Sequence, residues 1–498
     1  MKRVAIAFLA LYFISCYGLD HSGAAEPATP AKPKGEQEMK KQARPGSGVI
    51  SEVSAYISRS GDANLPPEVV RKAKHHILDT LAAIVSGSEM KAGKVAIPFA
   101  RSQGGVEEAQ VINSKVVTSA INAAFANAMM AHADETDDSH EKSLTHPGCS
   151  VVPAALAVAE REGADGMRFL KAVVAGYDVG PRFTMAIGVD NLRNKGRSTH
   201  ATGGNFGAAA AAASVLKLDP KQVSYVLDYA SNQSAGALHY VQDEDHVEKA
   251  FVFAGMPALS GTTAALLVRS GFTGVADIFT GSRNFLEPFL PEAKPERWIE
   301  GQGKQYEVMS TNIKKFAVGS PIQAPVDALI LLIKKHQLTP ANVQTIAVRF
   351  ADERSATTVN DRDMPDVNLQ YSLAMTLIEG DLSFEASHSS AHMKDPAVLD
   401  IKKRVSISVD PGLLKIVKTE RQAVVEVTTN DGRKLTEHVF NVRGTSENPL
   451  TNEEVEKKCR ELMAPVLGKE RTDALIDTIW NLERVKDVRE LRPLLSAR

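Results

Sequence analysis

The segment RQAVVEVTTNDGRKLTEHVFNV, residues 421–442, decides how the fold of this chain is divided. Apolar and polar residues alternate on both sides of Asn430-Asp431-Gly432, and β-branched side chains are frequent. Such alternation around an Asn-Asp-Gly turn is typical of a β-hairpin. VQTIAVRFA at residues 343–351 and KRVSISVD at residues 403–410 alternate in the same way, so the sequence predicts several strands in this part of the chain.

Helical patterns surround these predicted strands. Apolar residues recur at helical spacing from residue 48 to 309, as in PPEVVRKAKHHILDTLAAIVSG, and again from residue 448 to the end. A further helical pattern, NLQYSLAMTLIEG, lies among the strands. The sequence therefore predicts a mainly α fold. A large all-helical domain, residues 48–309 plus 448–498, would hold an inserted, smaller α+β domain, residues 310–447.

The bulk composition is that of an ordinary globular protein. The chain has 498 residues, which is more than one hydrophobic core usually supports and agrees with two domains. Hydrophobic residues make up 43% of the chain, and the formal net charge is -2. This charge balance does not have the signature of a protein that binds nucleic acid. Abundant alanine favours closely packed helices, and we expect a homodimer.

The N-terminal residues have the pattern of a targeting signal. A basic MKR precedes the apolar run VAIAFLALYFIS, which is too short for a typical membrane-spanning helix. We therefore expect a signal peptide over residues 1–19 and an exported protein, either periplasmic or membrane-anchored. FISC resembles a lipoprotein box, in which Cys16 would be lipidated and would tether the protein to the membrane; cleavage near GAA without lipidation is the alternative. Residues 20–47 are rich in Pro, Ala and Lys, which predicts a disordered tether.

An unusually polar segment, HADETDDSHEKSLTHPG at residues 132–148, interrupts the helical region. If the preceding helix continues through it, Glu135 and Ser139 lie on the same helix face as His132, and Asp138 lies beside Glu135. His146 precedes a proline, which predicts a turn. Three interpretations remain open for this segment: a solvated loop between helices, a zinc site that lacks the usual ligand spacing, and an acid/base active site.

Other segments carry weaker signals. In RSTHATGGNFGAAAAAA, His200 precedes Gly203 and Gly204, which would bring the backbone close to an anion where a helix begins; helix packing is the alternative. Lys249 precedes an apolar run and is either a carboxylate clamp or a lysine whose stem covers apolar surface. Tyr371 lies on the helix among the strands, where most tyrosines belong to the core.

The order of these motifs resembles the MmgE/PrpD family, which includes 2-methylcitrate dehydratase, cis-aconitate decarboxylase and an iminodisuccinate epimerase. The resemblance extends from about residue 50 to 490 and rests on HADETDDSH, THPGCSVVPAALAVAE, GYDVGPRF, THATGGNFGAAAAAA, GMPALSG, GFTG and LQYSLAMTLIEGD. It implies a helical domain with an inserted α+β lid. It also implies a pocket between them, lined by Glu135, Asp138, Ser139, His146, His200, Lys249 and Tyr371.

The resemblance implies acid/base chemistry on a small di- or tricarboxylic acid, without a metal or an organic cofactor. His146 or His200 would act as base and acid, because histidine titrates near neutral pH. Glu135 or Asp138 would orient a histidine. The Lys249 ammonium would hold a substrate carboxylate. Tyr371 would deliver a proton or a hydrogen bond from the lid.

The chain departs from the family pattern at several positions. Val252 stands where a histidine is usual after Lys249, and the spacing to Gly255 is one residue longer. Gly319 and Gln323 stand at histidine positions of the segment that enters the lid. We therefore expect a distinct subfamily.

The activity that the sequence favours is a lyase that dehydrates or decarboxylates its substrate. A cofactor-independent epimerase, a metal-dependent hydrolase and an exported carboxylate-binding protein without catalysis are the alternatives. Whether Cys149 and Cys459 form a disulfide is left open by the sequence.

Overall fold

A computed structural model describes residues 45–416 and 421–497. The predicted signal peptide, Cys16 and the predicted tether up to residue 44 lie outside these described residues. The tether was predicted to extend to residue 47, but Gly46 is buried and its backbone N–H donates to Glu296 at 3.2 Å. The first α-helix begins soon afterwards, at Val49.

The first helical part of the chain contains eleven α-helices. They are α1 (Val49–Arg59), α2 (Pro67–Gly87), α3 (Lys91–Gln103), α4 (Ala120–Ala131), α5 (Pro147–Glu162), α6 (Gly166–Ile187), α7 (Val189–Asn194), α8 (Thr199–Val215), α9 (Pro220–Asn232), α10 (Val247–Ala250) and α11 (Met256–Arg269). A π-helix, Phe251–Gly255, joins α10 to α11. Two short strands, β1 (Ala109–Gln110) and β2 (Val117–Thr118), pair antiparallel before α4.

The predicted strands form a four-stranded sheet in the order β4-β3-β5-β6. The elements of this part are α12 (Gln323–His336), β3 (Val343–Phe350), α13 (Glu353–Thr358), α14 (Leu369–Glu379), α15 (Phe384–His388), α16 (Pro396–Lys402), β4 (Val405–Val409), β5 (Ala423–Thr429) and β6 (Lys434–Val439). β3 pairs with β4 in parallel, and the other neighbours are antiparallel. The hairpin predicted around Asn430-Asp431-Gly432 is confirmed as β5 and β6.

Two large hydrophobic clusters organise these elements. One contains buried residues from 49 to 313 together with residues 450–495, so α17 (Asn452–Leu467), α18 (Lys469–Trp480) and α19 (Arg492–Leu495) pack with the first helices. The other contains buried residues from 316 to 442, including both faces of helix α14. The fold is therefore mainly α, as the sequence predicted.

The alanine- and glycine-rich helices cross with their backbones close together. A Cβ atom added at Gly180 of α6 would lie 2.4 Å from the Gly203 carbonyl oxygen of α8. A Cβ atom at Gly204 would lie 2.9 Å from Pro257 Cβ. Both α8 glycines lie one turn inside the helix, which begins at Thr199 with Ser198 as its N-cap. These contacts favour the alternative interpretation of Gly203 and Gly204, that helix packing requires them.

One helical run among the described residues, Val247–Arg269, is long and apolar enough to cross a membrane by length and composition. This run comprises α10, the π-helix and α11. In its most apolar window, 67% of the residues are buried inside the protein. Such burial is typical of a core helix, and α11 indeed packs against α8 and α4.

Candidate active site

The polar segment that follows α4 is buried and irregular. α4 ends at Ala131, so the predicted continuation of this helix through Glu135 and Ser139 is wrong. Local bonds compete with the helix here, since the Asp134 carboxylate accepts from the backbone N–H and the hydroxyl of Thr136. The backbone of Ser139 then pairs with Asn312. The interpretation as a solvated loop is also wrong, because every residue from 132 to 140 is buried.

Asp137 is shared by two histidines. Its carboxylate accepts from His132 Nδ1 at 2.9 Å and from His146 Nδ1 at 3.1 Å. Burial alone would raise the pKa of Asp137, but the two histidines hold it well below its usual value. In a neutral imidazole that donates from Nδ1 to this carboxylate, the lone pair is on Nε2. The imidazole of His146 is partly exposed to the cavity and can accept a proton there.

Asp138, which together with Glu135 was one of the two predicted orienting acids, does not line the cavity. It accepts from His76 Nδ1 at 2.7 Å, from the Tyr177 hydroxyl at 2.5 Å and from Gly148 N–H at 3.0 Å. Asp138 is fully buried and therefore fixes the start of α5 from behind. The acid that orients a cavity histidine is Asp137.

Glu135 is paired with two lysines. It forms an ion pair with Lys249, and its other carboxylate oxygen lies 2.9 Å from Lys314 Nζ. Burial alone would raise the pKa of Glu135. The charges of Lys249 and Lys314 nevertheless hold this pKa well below its usual value. The predicted carboxylate clamp, Lys249, thus already has an anionic partner within the protein. Its Nζ also lies 5.5 Å from the centre of the Phe253 ring.

His200 is stacked on Phe253, with 3.6 Å between the ring centres. The ring centres of His200 and His146 are 5.2 Å apart, so both imidazoles reach the same part of the cavity. Burial, followed by the neighbouring His146 and His132, lowers the pKa of His200 well below its usual value. His200 is therefore neutral at neutral pH, and its Nδ1 has no partner among the described residues.

A π-helix follows Lys249, in the segment where the chain is one residue longer than the family pattern. A π-helical turn accommodates one extra residue within a helix and is frequent at functional sites. Val252, which stands at the histidine position of that pattern, is buried within this turn. Phe253 contacts His132 and His200 through its ring faces, with ring centres 4.5 Å and 3.6 Å apart. An aromatic face therefore lies against both imidazoles.

The cavity between these residues has a volume of about 380 Å³. Of the predicted site residues, Glu135, Ser139, His146, His200 and Lys249 line it, whereas Asp138, Gly203, Gly204 and Tyr371 do not. Four arginines that the sequence did not single out also line it, namely Arg193, Arg354, Arg362 and Arg421. The cavity wall therefore carries an excess of positive charge, which suits an anionic ligand.

Tyr371 belongs to the core of the α+β part. It is fully buried, and its hydroxyl donates to the carbonyl oxygens of Ala386 at 2.5 Å and Ser389 at 3.2 Å. Burial raises the pKa of Tyr371 to about 12. In this arrangement Tyr371 positions α14 against α15 and does not reach the cavity.

The positions that lack the family's histidines behave differently from each other. Gly319 lines the cavity and leaves room there. The side-chain amide of Gln323 is buried and donates to the carbonyl oxygens of Phe316 and Val318 at 2.8 Å and 2.9 Å. Gln323 therefore holds the backbone of this segment in place.

Two histidine–aspartate contacts link the helical residues to the α+β residues beside the cavity. His388 Nε2 lies 3.0 Å from Asp134 Oδ2, and His246 Nε2 lies 3.0 Å from Asp366 Oδ2. Burial alone would lower the pKa of His388, but the Asp134 carboxylate raises it to about 9. His388 is therefore charged at neutral pH. The contact ties α15 to the segment that carries Glu135 and Asp137.

His132, Asp137 and Cys149 form a buried cluster whose ligand atoms lie within 4.8 Å of one another. Burial raises the pKa of the Cys149 thiol well above its usual value. The Asp137 carboxylate of this cluster already accepts from His132 and from His146. These contacts favour an acid/base group over a metal site. Cys149 and Cys459 are both buried and both unpaired, so they do not form a disulfide with each other.

Comparisons with known proteins cover nearly the whole described chain. Residues 51–297 match the MmgE/PrpD N-terminal domain, and residues 316–483 match the MmgE/PrpD C-terminal domain. A cis-aconitate decarboxylase of Aspergillus terreus is 25% identical over 475 residues, which cover 90% of this chain and 96% of that protein. A cis-aconitate decarboxylase-like protein of Aspergillus oryzae is 26% identical over 486 residues, or 91% of this chain and 98% of that protein. Human cis-aconitate decarboxylase is 24% identical over 461 residues, or 87% and 91%. The chain belongs to the MmgE/PrpD family.

Proposed function

We propose that this protein is a lyase that dehydrates or decarboxylates a small di- or tricarboxylic acid. The observation that carries the proposal is the pairing of Asp137 with His146 at the wall of a cationic cavity. The similarity to cis-aconitate decarboxylases along nearly the full length supports the same class of substrate.

His146 is the proposed general base. Its Nδ1–H is held by Asp137, which fixes the ring and leaves Nε2 free to take a proton from the carbon beside a substrate carboxylate. Asp137 also stabilises the imidazolium that forms, because it remains ionised. The anion that develops on the substrate lies among cationic groups, which lower its energy.

His200 is the proposed partner in proton transfer. It is neutral because burial and neighbouring cationic or potentially cationic groups, including Lys249 and Arg193, disfavour its protonated form. A bound polycarboxylate offsets these charges and so raises the basicity of His200 once the substrate is present. In a dehydration, His200 would then donate a proton to the leaving hydroxyl group. In a decarboxylation, it would donate a proton to the carbon that loses carbon dioxide.

The α+β part is proposed to act as a lid over this site. His388 and Asp366 reach from it to Asp134 and His246 of the helical part. Closure would exclude water from the cavity, which strengthens the electrostatic interactions within it.

The test is proton NMR in heavy water on the full-length protein with cis-aconitate, citrate, 2-methylcitrate and succinate. A lyase consumes at least one acid and forms a product that has lost water, with a new carbon–carbon double bond, or that has lost carbon dioxide. His146→Gln should lower that rate by about 10²–10⁴ while the protein stays folded. Lack of turnover and of α-proton exchange with every acid would contradict the proposal.

A second candidate is a carboxylate-binding protein without catalysis. Gly319 and Gln323 favour it, because neither can transfer a proton where the family has histidines. The same spectra separate these functions: binding broadens or shifts the ligand signals without any exchange. An epimerase, the remaining alternative, would exchange the α-proton with deuterium without changing the carbon skeleton.

A further inference from the structure

The positive charge of the cavity resides mainly in its arginines. Lys249 is paired with Glu135, which is the acidic residue of the cavity lining. Arg193 and Arg362 also line the cavity and are half-buried. In the part of the chain that the structure describes, neither of their guanidinium groups forms an ion pair with a carboxylate. Their charge is therefore available to a ligand.

Arg193 and Arg362 come from different parts of the fold but interact with adjacent residues. Arg193 lies in α7 and lines the cavity together with Tyr240, whose hydroxyl it influences electrostatically. Arg362 precedes α14, and its Nη2 donates to the carbonyl oxygen of Val241 at 2.9 Å. Tyr240 and Val241 belong to one short 3-10 turn. This turn therefore brings together a guanidinium from the helical part and one from the α+β part.

We propose that Arg193 and Arg362 form a second anion-binding subsite, which holds a substrate carboxylate remote from the carbon that His146 deprotonates. This inference rests on the proposed function. A guanidinium has five N–H donors, so the single bond of Arg362 to the turn leaves donors for a carboxylate, and those of Arg193 are available as well. Arginine also binds carboxylates through two parallel hydrogen bonds, which fixes their orientation.

The subsite restricts which acids can be substrates. The acid must carry at least two carboxylates, one near His146 and another at the arginine pair. The cavity wall also includes Leu144, Phe253 and Met364, whose side chains can offer apolar contact to the carbon chain that joins the carboxylates. Because one arginine belongs to each part of the fold, the remote carboxylate also links the two parts when it binds.

Isothermal titration calorimetry on the full-length protein tests the subsite with cis-aconitate, succinate and butyrate, which carry three, two and one carboxylates. Arg193→Gln and Arg362→Gln should each weaken the binding of cis-aconitate and succinate by about 10- to 100-fold. Neither variant should change the affinity for butyrate more than about twofold. Arg197→Gln is the matched control, since this exposed arginine lies outside the cavity lining. It should leave all affinities unchanged.

Wild-type affinity of the Arg193→Gln, Arg362→Gln double variant for succinate would overturn the subsite, as would an equal loss for butyrate. Failure of the wild-type protein to bind either polycarboxylate would overturn it too. Failure of the proposed function looks different. In that case the wild-type protein binds polycarboxylates through the arginines but neither consumes them nor exchanges their protons.

Discussion

Replacing Asp137 by Asn is expected to remove most of the catalytic activity while leaving the fold intact. An amide has the shape of a carboxylate but keeps one acceptor oxygen and gains an NH₂ donor. Asp137 accepts from the Nδ1 atoms of both His132 and His146. In Asp137→Asn, one of these rings must face the new NH₂ group and shift its proton to Nε2. In His146 this shift removes the lone pair that faces the cavity.

The expected size of the effect follows from these contacts. A histidine in the wrong tautomer, or a general base that is lost, lowers the rate by about 10²–10⁴. A hydrogen bond to a charged group contributes about 1.5–3 kcal/mol to stability, but the variant also removes a buried carboxylate that was costly to desolvate. The Lys314 ammonium stays paired with Glu135. We therefore expect the free energy of unfolding to fall by roughly 1–3 kcal/mol, less than the stability of a typical protein.

Asp138→Asn is the matched control, because it is the neighbouring carboxylate and does not line the cavity. It accepts from His76, Tyr177 and Gly148, so the amide leaves buried donors without an acceptor. Each such donor costs about 1–3 kcal/mol. We expect a larger loss of stability than in Asp137→Asn and a much smaller loss of rate per folded molecule.

The assay measures thermal unfolding and the initial rate of each variant on the acid that the NMR screen identifies, at a temperature where both are folded. We expect Asp138→Asn to be the less stable variant and Asp137→Asn to be the slower one. If Asp137→Asn retains more than one tenth of the wild-type rate, Asp137 does not orient the base. If Asp138→Asn is the slower enzyme, Asp138, one of the two acids that the sequence predicted, is the orienting acid.

The other ion pairs and the helix glycines give further expected outcomes. Glu135→Gln should lower the free energy of unfolding, measured in urea, by about 3–5 kcal/mol, because it leaves the buried Lys314 without its main partner. Lys249→Met at the cavity wall should lower the free energy of unfolding much less. The folded-state pKa of His388, about 9, lies above its unfolded value of about 6.5, so its stabilisation is complete below pH 6.5 and is lost as the pH rises through 9. Thermal unfolding from pH 6 to 10 should therefore show an alkaline loss on the order of 3 kcal/mol that is absent from His388→Gln. Gly203→Ala should lower stability by about 1–3 kcal/mol without changing KM, because the added Cβ would lie 2.8 Å from Thr145 Cγ2. A raised KM with unchanged stability would instead support the anion-binding role of this glycine. Light scattering at micromolar concentration should give the mass of a homodimer, and a monomer would contradict this prediction.

The sequence predicted those parts of the fold that depend on local periodicity. The hairpin around Asn430-Asp431-Gly432 and the long helix α2 repeat the same side-chain pattern over many residues, so their type is fixed locally. The continuation of α4 through Glu135 was wrong because bonds to distant residues, such as the pairing of Ser139 with Asn312, compete with the helix. Such partners are far away along the chain and leave no local pattern.

The candidate site was predicted as a set of residues but not as a set of contacts. His146 and His200 were found because they belong to motifs, and they line the cavity together. Asp137 was missed, although it stands beside Asp138, because the direction of each carboxylate depends on an irregular backbone. Arg193 and Arg362 carry no motif at all. Their relation arises only when the turn at Tyr240 brings the two parts of the fold together.

The irregular backbone of residues 134–138 is what gives neighbouring carboxylates different tasks. Asp134 contacts His388 of the α+β part, and Glu135 neutralises two lysines at the cavity wall. Asp137 orients His146, whereas Asp138 supports α5 from behind. On a regular helix, adjacent residues could not all reach partners on such different sides at this burial. Each acid of this segment has a partner inside the protein. A negatively charged substrate can therefore bind to those cationic groups of the cavity that these acids do not neutralise. This is why the proposed recognition of a polycarboxylate rests on the arginines that line the same cavity.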